Sequence, residues 1–112
     1  MAQAWGTITA YNTTTPKVNS GSGNFTISRS AEGAYEIEFA EGTFQNTPAL
    51  VVVQQYSGKD GRGRWTDFGY GGGDTRDNAV ISALDKSKAK VITGNPDGKH
   101  EDRNFSFFAI GD

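Results

Sequence analysis

The residues that could do chemistry gather mainly in one glycine-rich stretch, residues 57–76, which also contains aromatic, acidic and basic side chains. A Trp or Tyr ring can cover the apolar face of a sugar, while carboxylates and guanidinium groups hydrogen-bond its hydroxyls. The pattern therefore predicts carbohydrate binding. The candidate contacts are Trp65, Asp67, Tyr70, Asp74 and Arg76, with Arg62, Arg64 and His100 behind them. The alternative interpretation is structural: Trp65 and Phe68 only attach this stretch to the core.

Catalysis finds little support in the residue types. His100 is the only histidine, it lies in a charged stretch, and cysteine is absent, so thiol catalysis and most transition-metal sites have no ligands. Glycosidase chemistry needs two carboxylates across a cleft. Glu36 and Glu38 alternate with apolar residues, which is typical of the exposed face of a strand. We therefore expect a protein that is not an enzyme.

Calcium is the one cofactor that the sequence leaves open, since hard cations prefer oxygen ligands. Neither available set of oxygen donors has the spacing of a twelve-residue calcium loop. We therefore expect no cofactor. The two sets are Asp74, Asp77, Asn78 and Asp85, and Asp97, Glu101 and Asp102.

Only one short segment of the sequence suggests a nucleic-acid partner. The segment from Arg62 to Trp65 could stack on single-stranded bases. The formal charge of the chain is −2, however, and Asp60 and Asp67 interleave with the arginines. We expect neither a nucleic-acid partner nor insertion into a membrane, since no apolar run approaches the roughly 20 residues of a spanning helix.

The elements that must position these residues are strands. Twelve of the 112 residues are Val or Ile, only two are Leu, and apolar residues alternate with polar ones along most of the chain. The sequence predicts an exposed connection over residues 12–23 and a long loop over residues 57–76, with a possible strand at 64–68. Over residues 81–90 a helix is an alternative to strands. The predicted strands are 5–10, 25–28, 35–39, 49–56, 78–84, 88–93 and 104–110, with hairpins over 25–39 and 78–93.

These elements predict one all-β domain over residues 1–112, an antiparallel β-sandwich of seven or eight short strands. Two strands carry more apolar side chains than one core needs. Strand 49–56 begins as a continuous apolar run, which predicts burial on both faces or a position between the core and a partner subunit. Strand 104–110 is apolar on both faces, so we expect a second protein surface against it, and hence an oligomer.

The order of strand residues resembles the small trimeric β-sandwich modules of H-type lectins and of bacterial and phage tail fibres. The resemblance rests on Gly33-x-Tyr35-x-Ile37-x-Phe39, on Phe44 with Pro48 and Val51-Val52-Val53, and on Arg103-x-Phe105-Ser106-Phe107. It covers roughly residues 23–56 and 78–111. It implies a homotrimer, or a hexamer of paired trimers, that binds glycans of the galactose or N-acetylgalactosamine type between protomers.

Two functional hypotheses follow. The first is a non-enzymatic, multivalent carbohydrate-binding protein, a small lectin acting as an oligomer. The second is a structural trimerising head or tail-fibre-type adhesion module without sugar binding. The first residues, Met1 to Trp5, lack the basic start and apolar stretch of a signal peptide, so we expect synthesis in the cytoplasm, with later release from the cell left open.

Overall fold

A computed structural model describes residues 1–56, 65 and 73–112, and its described part is all-β, an antiparallel β-sandwich without a helix. The predicted fold class is confirmed. With no helix among the described residues, none of them forms a helix that could span a membrane. The strands are β1 (Ala2–Thr9), β2 (Lys17–Gly21), β3 (Phe25–Ala31), β4 (Ala34–Phe39), β5 (Ala49–Gln54), β6 (Ala79–Leu84), β7 (Lys88–Thr93) and β8 (Phe105–Gly111).

The strands form two four-stranded sheets, in the orders β2-β1-β8-β5 and β3-β4-β7-β6. All neighbouring strands are antiparallel. The hairpins β3–β4 and β6–β7 confirm the two predicted from sequence, and β6 and β7 show that residues 81–90 form strands rather than the alternative helix. The possible strand at 64–68 lies outside the described residues, apart from Trp65 in a turn.

The core lies between the sheets and follows from strand alternation, because every second side chain of a strand points to the same face. In β8 the inward positions Phe105, Phe107 and Ala109 are buried, and in β4 the inward positions are Tyr35, Ile37 and Phe39. Aromatic rings connect the layers, with Tyr35 against Phe105 at 5.2 Å between centroids. Such contacts hold the two sheets in one fixed arrangement.

Two expectations about individual strands need correction. Residues 12–23 are not only a connection: they contain β2, whose five residues are all exposed, so that no apolar face marks it in the sequence. Strand β5 is not buried on both faces in the chain itself. Among the strands of the described residues it is the outer one of its sheet, and Val51 and Val53 are each 60% exposed.

The four candidate ligand contacts that the structure describes, Trp65, Asp74, Arg76 and His100, lie at one end of the sandwich, which we call the loop rim. There β1, β3, β5 and β7 end, and β2, β4, β6 and β8 begin, as the antiparallel registers require. The Gln54 amide connects the two sheets at this end, donating from Nε2 to the Gly94 carbonyl at 2.8 Å and accepting the Gly94 N–H at 3.1 Å. The loop rim is therefore fixed to both layers.

Candidate functional site

An open groove of about 320 Å³ lies on the loop rim, between the end of β5 and the segment that leads into β6. A volume near 300 Å³ is at the small end of the range of ligand sites. The groove is lined by Gln54, Tyr56, Gly73, Asp74, Thr75 and Asp77.

An exposed aromatic ring forms one wall of the groove. Tyr56 is the second residue after β5 and is 40% exposed. Gly73 lies against it with φ +105°, and a Cβ at Gly73 would lie 3.4 Å from Tyr56 Cβ and Cγ. Glycine thus lets the backbone turn beside the ring without covering it. The result is a half-exposed aromatic surface beside polar groups, which is the combination that sugars require.

Beside Tyr56 lies an exposed ion pair. The Arg76 guanidinium donates from Nε and Nη2 to the two carboxylate oxygens of Asp74, at 3.1 and 2.9 Å, and the Arg76 backbone N–H donates to Oδ1 at 2.9 Å. These bonds from Arg76, first from its side chain and then from its backbone, lower the pKa of Asp74 to about 2. Asp74 is therefore an ionised acceptor over the whole physiological pH range.

Behind the groove a second pair is buried. Asp77 accepts the Asp74 N–H at Oδ2, at 3.0 Å, and its Oδ1 lies 3.5 Å from Arg103 Nη1. Asp77 Oδ1 and Arg103 Nη1 are buried and make no hydrogen bond. Arg103 Nε donates to Glu101 Oε2 at 2.7 Å, which holds the guanidinium in place. Asp77 thus lines the back of the groove, with Oδ2 bonded to the Asp74 backbone and Oδ1 directed at Arg103.

Asp102 is the centre of a third polar cluster, which fixes the β3–β4 turn to the segment before β8. Its carboxylate accepts hydrogen bonds from Arg29 Nε and Nη2 at 3.1 and 2.9 Å, from the Gly33 N–H at 2.8 Å and from the Tyr35 hydroxyl at 2.6 Å. Burial alone would raise the pKa of Asp102, but the bonds from Arg29, Tyr35 and Gly33 outweigh it and lower that pKa. With all these contacts inside the protein, the cluster is structural.

The same cluster affects Tyr35. Burial of the ring, followed by the hydrogen bond to the Asp102 carboxylate, raises the pKa of the Tyr35 hydroxyl. The hydroxyl therefore stays protonated and serves as a fixed donor.

Asn104 lies at the loop rim, directly before β8 in the sheet β2-β1-β8-β5. Its Oδ1 accepts the backbone N–H groups of Ala10 and Tyr11, at 2.8 and 3.0 Å, and its Nδ2 donates to Gln55 Oε1 at 2.7 Å. One buried amide thus connects the end of β1 to the residue after β5, and supports the strand end from which Tyr56 projects.

The structure places four of the eight predicted site residues. Asp74 and Arg76 are together, and Asp74 lines the groove. Trp65 is half-buried, and its Nε1 donates to the Ile8 carbonyl at 3.2 Å, so the indole is attached to the end of β1, in line with the structural alternative for this residue. His100 is exposed, forms a backbone bridge with Gly94 and does not line the groove. Arg62, Arg64, Asp67 and Tyr70 lie outside the described residues.

The two calcium sets do not assemble. Within the described part of the chain, no three His, Cys, Asp or Glu residues gather as metal ligands. Asp85 accepts the N–H groups of Ser87 and Lys88 in the β6–β7 turn, at the opposite end of the sandwich from Asp74 and Asp77. The oxygens of Asp102 are already bonded within the protein.

Sequence reasoning missed Tyr56 and Asp77 as groove residues. The sequence pattern places Tyr56 in the predicted strand 49–56 and marks Asp77 as a possible calcium ligand. One feature could have found Tyr56: it is an aromatic residue that immediately precedes the glycine-rich stretch, and binding residues are concentrated on loops.

A larger groove of about 710 Å³ lies at the opposite end of the sandwich, between residues 38–45 and 85–88. Its two aromatic residues, Phe39 and Phe44, are each 4% exposed and pack edge to face, with ring centroids 5.0 Å apart. It therefore offers no aromatic face to a ligand, and the smaller groove at the loop rim is the better candidate.

Comparisons with protein families, with curated proteins and with solved structures find no match to this chain. The class that the geometry defines is therefore an antiparallel β-sandwich with a polar and aromatic groove at its loop rim.

Proposed function

We propose that the protein is a non-enzymatic carbohydrate-binding module, a small lectin that acts as an oligomer. The observation that carries the proposal is the groove at the loop rim, where the half-exposed Tyr56 ring lies beside the carboxylates of Asp74 and Asp77. A sugar ring stacked on Tyr56 would bring its hydroxyls to the Asp74 carboxylate, and the Arg76 side chain, which is 72% exposed, lies beside that carboxylate.

Each contact has a distinct role in this proposal. Tyr56 binds the apolar face of the sugar, Asp74 accepts hydrogen bonds from hydroxyls, Arg76 donates to ring or hydroxyl oxygens, and Asp77 holds the Asp74 backbone in place. Trp65 holds its segment to β1 through Ile8. The proposal keeps Arg62, Arg64, Asp67 and Tyr70 as further contacts, and His100 as a peripheral one, from the sequence pattern.

The sugar class and the assembly follow from the resemblance to H-type lectins, which implies galactose or N-acetylgalactosamine and a homotrimer or hexamer. A shallow groove of this size gives weak binding to one sugar. Several grooves in one assembly raise the apparent affinity through effective concentration.

A glycan array with the full chain tests the proposal. We expect galactose- or N-acetylgalactosamine-terminated glycans to bind, with signals lost in Tyr56→Ala and reduced in Asp74→Asn. Glu41→Gln is the matched control, since Glu41 is an exposed carboxylate at the opposite end. An array without a bound glycan, or equal loss in Glu41→Gln, would contradict the proposal.

A second candidate function is an assembly module without sugar binding. The outward face of the sheet β2-β1-β8-β5 supports it, because its central row, Trp5, Phe108 and Val51, is apolar and 40–60% exposed. The outward face of the other sheet instead carries cross-strand charge pairs, Glu36 with Lys90 and Glu38 with Lys88. A stable oligomer with blank arrays would favour this function.

A further inference from the structure

In the described part of the chain the two sheets have four outer strands, β2, β5, β3 and β6, and one of them differs from the other three. An exposed outer strand offers unpaired backbone groups to other chains, and proteins commonly interrupt such edges with bulges or charges. Three of the four contain an extra residue that breaks the register with the neighbouring strand: Asn19 in β2, Ser30 in β3 and Ser82 in β6. The fourth, β5, pairs with β8 over six consecutive residues without a break.

The backbone of β5 presents a regular row of groups outward. The Gln55 N–H donates to the Asn104 carbonyl at 2.8 Å. Because hydrogen-bonded positions alternate along an antiparallel pair, the N–H and C=O groups of Leu50, Val52 and Gln54 point away from β8. Within the part of the chain that the structure describes, no backbone group bonds to them.

The side chains of β5 also lack the usual protection. The strand, Ala49–Gln54, contains no charged residue, no proline and no glycine. Val51 and Val53 are each 60% exposed, more than any other large apolar side chain described except Met1. A flat, uncharged, β-branched edge of this kind favours pairing with another strand.

We propose that β5 pairs with β5 of a second copy of this chain, antiparallel and around a two-fold axis, so that the two sheets join into one. Two-fold symmetry is the commonest arrangement of homo-oligomers. This symmetry also places side chains of the outer face opposite side chains of the same face in the partner. The two-fold axis must therefore pass through a pair of identical residues, and not between two residues.

Centring the pair on Val52 gives the greatest overlap. Val52 then lies opposite the partner's Val52, and Leu50 opposite the partner's Gln54, so that the outward N–H and C=O groups of both strands hydrogen-bond each other. Val51 lies opposite the partner's Val53 on the outer face. The most exposed valines of both copies thus cover one another, at the roughly 5 Å separation of cross-strand pairs.

The pairing determines where the two grooves lie, a consequence that rests on the proposed function. In this register Tyr56 lies opposite the partner's Pro48, so the two Tyr56 residues are eight positions apart along the strands. At roughly 3.3 Å per residue this is a separation of about 26 Å. The dimer would therefore bind two sugar ends of one branched glycan or of neighbouring glycans.

The strand pair is smaller than a standard interface of about 800 Å² per partner. We therefore expect a reversible dimer. If a separate trimeric contact lies elsewhere on the surface, we expect an assembly with an even number of subunits. A hexamer of paired trimers meets this condition, whereas a lone trimer does not.

Sedimentation of the purified full chain up to about 200 µM tests the pairing. We expect an even-numbered assembly that the double variant Val51→Lys with Val53→Lys reduces to monomer or trimer, since it places like charges opposite each other. Val52→Pro, which removes an outward N–H, has the same expected effect, and Val52→Ala keeps the assembly. Ser28→Lys is the control on the other sheet.

A wild-type monomer or lone trimer at this concentration would overturn the proposal, as would an even assembly that survives both edge variants. A monomer that instead captures a strand from a different protein would overturn it too. These outcomes are separate from the proposed function, because binding of a single sugar to the groove is measured at low protein concentration. There the edge variants should bind as wild type, losing only the array signal that depends on avidity, by tenfold or more as an order of magnitude.

Discussion

Asp77 Oδ1 lies 3.5 Å from Arg103 Nη1, with both side chains more than nine-tenths buried and without a hydrogen bond between them. This contact joins the segment before β6 to the segment before β8, across the two sheets. Buried charges are usually hydrogen-bonded, because an unsatisfied one costs roughly 1–3 kcal/mol or more. Asp77 is thus fixed behind the groove, where its Oδ2 holds the Asp74 backbone N–H.

Removing one partner of this pair should destabilise the protein. Asp77→Ala leaves the Arg103 charge buried beside only Glu101, and we expect a loss of about 2–3 kcal/mol in the free energy of unfolding by urea. The double variant Asp77→Leu with Arg103→Met should recover most of this loss, because it removes both charges from the interior. A change below about 0.5 kcal/mol in Asp77→Ala would show that the pair is not buried as described.

Acid should weaken the Asp102 cluster. The pKa of Asp102 is lower in the folded protein than in the unfolded chain, where it is about 3.9. The cluster's contribution is therefore complete above about pH 5 and is lost as the pH falls through the folded-state value. We expect Asp102→Asn to cost about 2 kcal/mol at pH 7, and the difference from wild type to shrink below about pH 4. A difference that does not change between pH 7 and pH 2.5, measured by urea unfolding, would be inconsistent with this role.

Two glycines in the left-handed region provide a matched pair of substitutions. Gly33 has φ +65°, and a Cβ there would lie 2.6 Å from the Thr93 carbonyl oxygen and 2.7 Å from the Glu101 nitrogen. Gly98 has φ +79°, with open space around it. We expect Gly98→Ala to cost about 1 kcal/mol and Gly33→Ala clearly more, since only the latter adds a backbone clash. Equal melting temperatures for the two variants would contradict the packing at the β3–β4 turn.

Substitutions at Trp65 distinguish a structural role of this residue from a direct role in sugar binding. Trp65→Phe keeps an aromatic ring but loses the N–H that bonds to the Ile8 carbonyl, so we expect a loss of about 1 kcal/mol in stability with sugar binding retained. Trp65→Ala removes the ring as well. If Trp65→Phe abolished binding without any change in stability, the indole would be a direct contact and not an attachment.

The sequence patterns predicted most of the fold because strand alternation is a local property. Tyr35, Ile37 and Phe39 alternate with glutamates, and the hairpins join strands through short turns. Strand β2 was missed because all five of its residues are exposed, so that no alternation of buried and exposed side chains marks it. The edge position of β5 among the described strands could not be predicted because strand order depends on contacts distant in the sequence. An apolar run is typical of a buried central strand and equally of an unprotected edge.

The site was predicted less well, for a related reason. Asp74 and Arg76 were named as candidates from their residue types, and the ion pair between them is a local contact of residues two positions apart. Asp77 meets Arg103 only through the fold, 26 positions along the chain, and the burial of both is invisible in the sequence. The pairing of Asp102 with Arg29 likewise turns a suspected calcium ligand into part of the framework.

An NMR titration of the ¹⁵N-labelled protein with galactose and with N-acetylgalactosamine tests the central claim most directly, because it locates a weak ligand without relying on avidity. We expect saturable shifts at the amides of Tyr56, Gly73, Thr75 and Asp77, with Glu41 and Gly42 at the opposite groove unchanged. The account is contradicted if neither sugar shifts any amide at millimolar concentration, or if the shifts are confined to the opposite end of the sandwich.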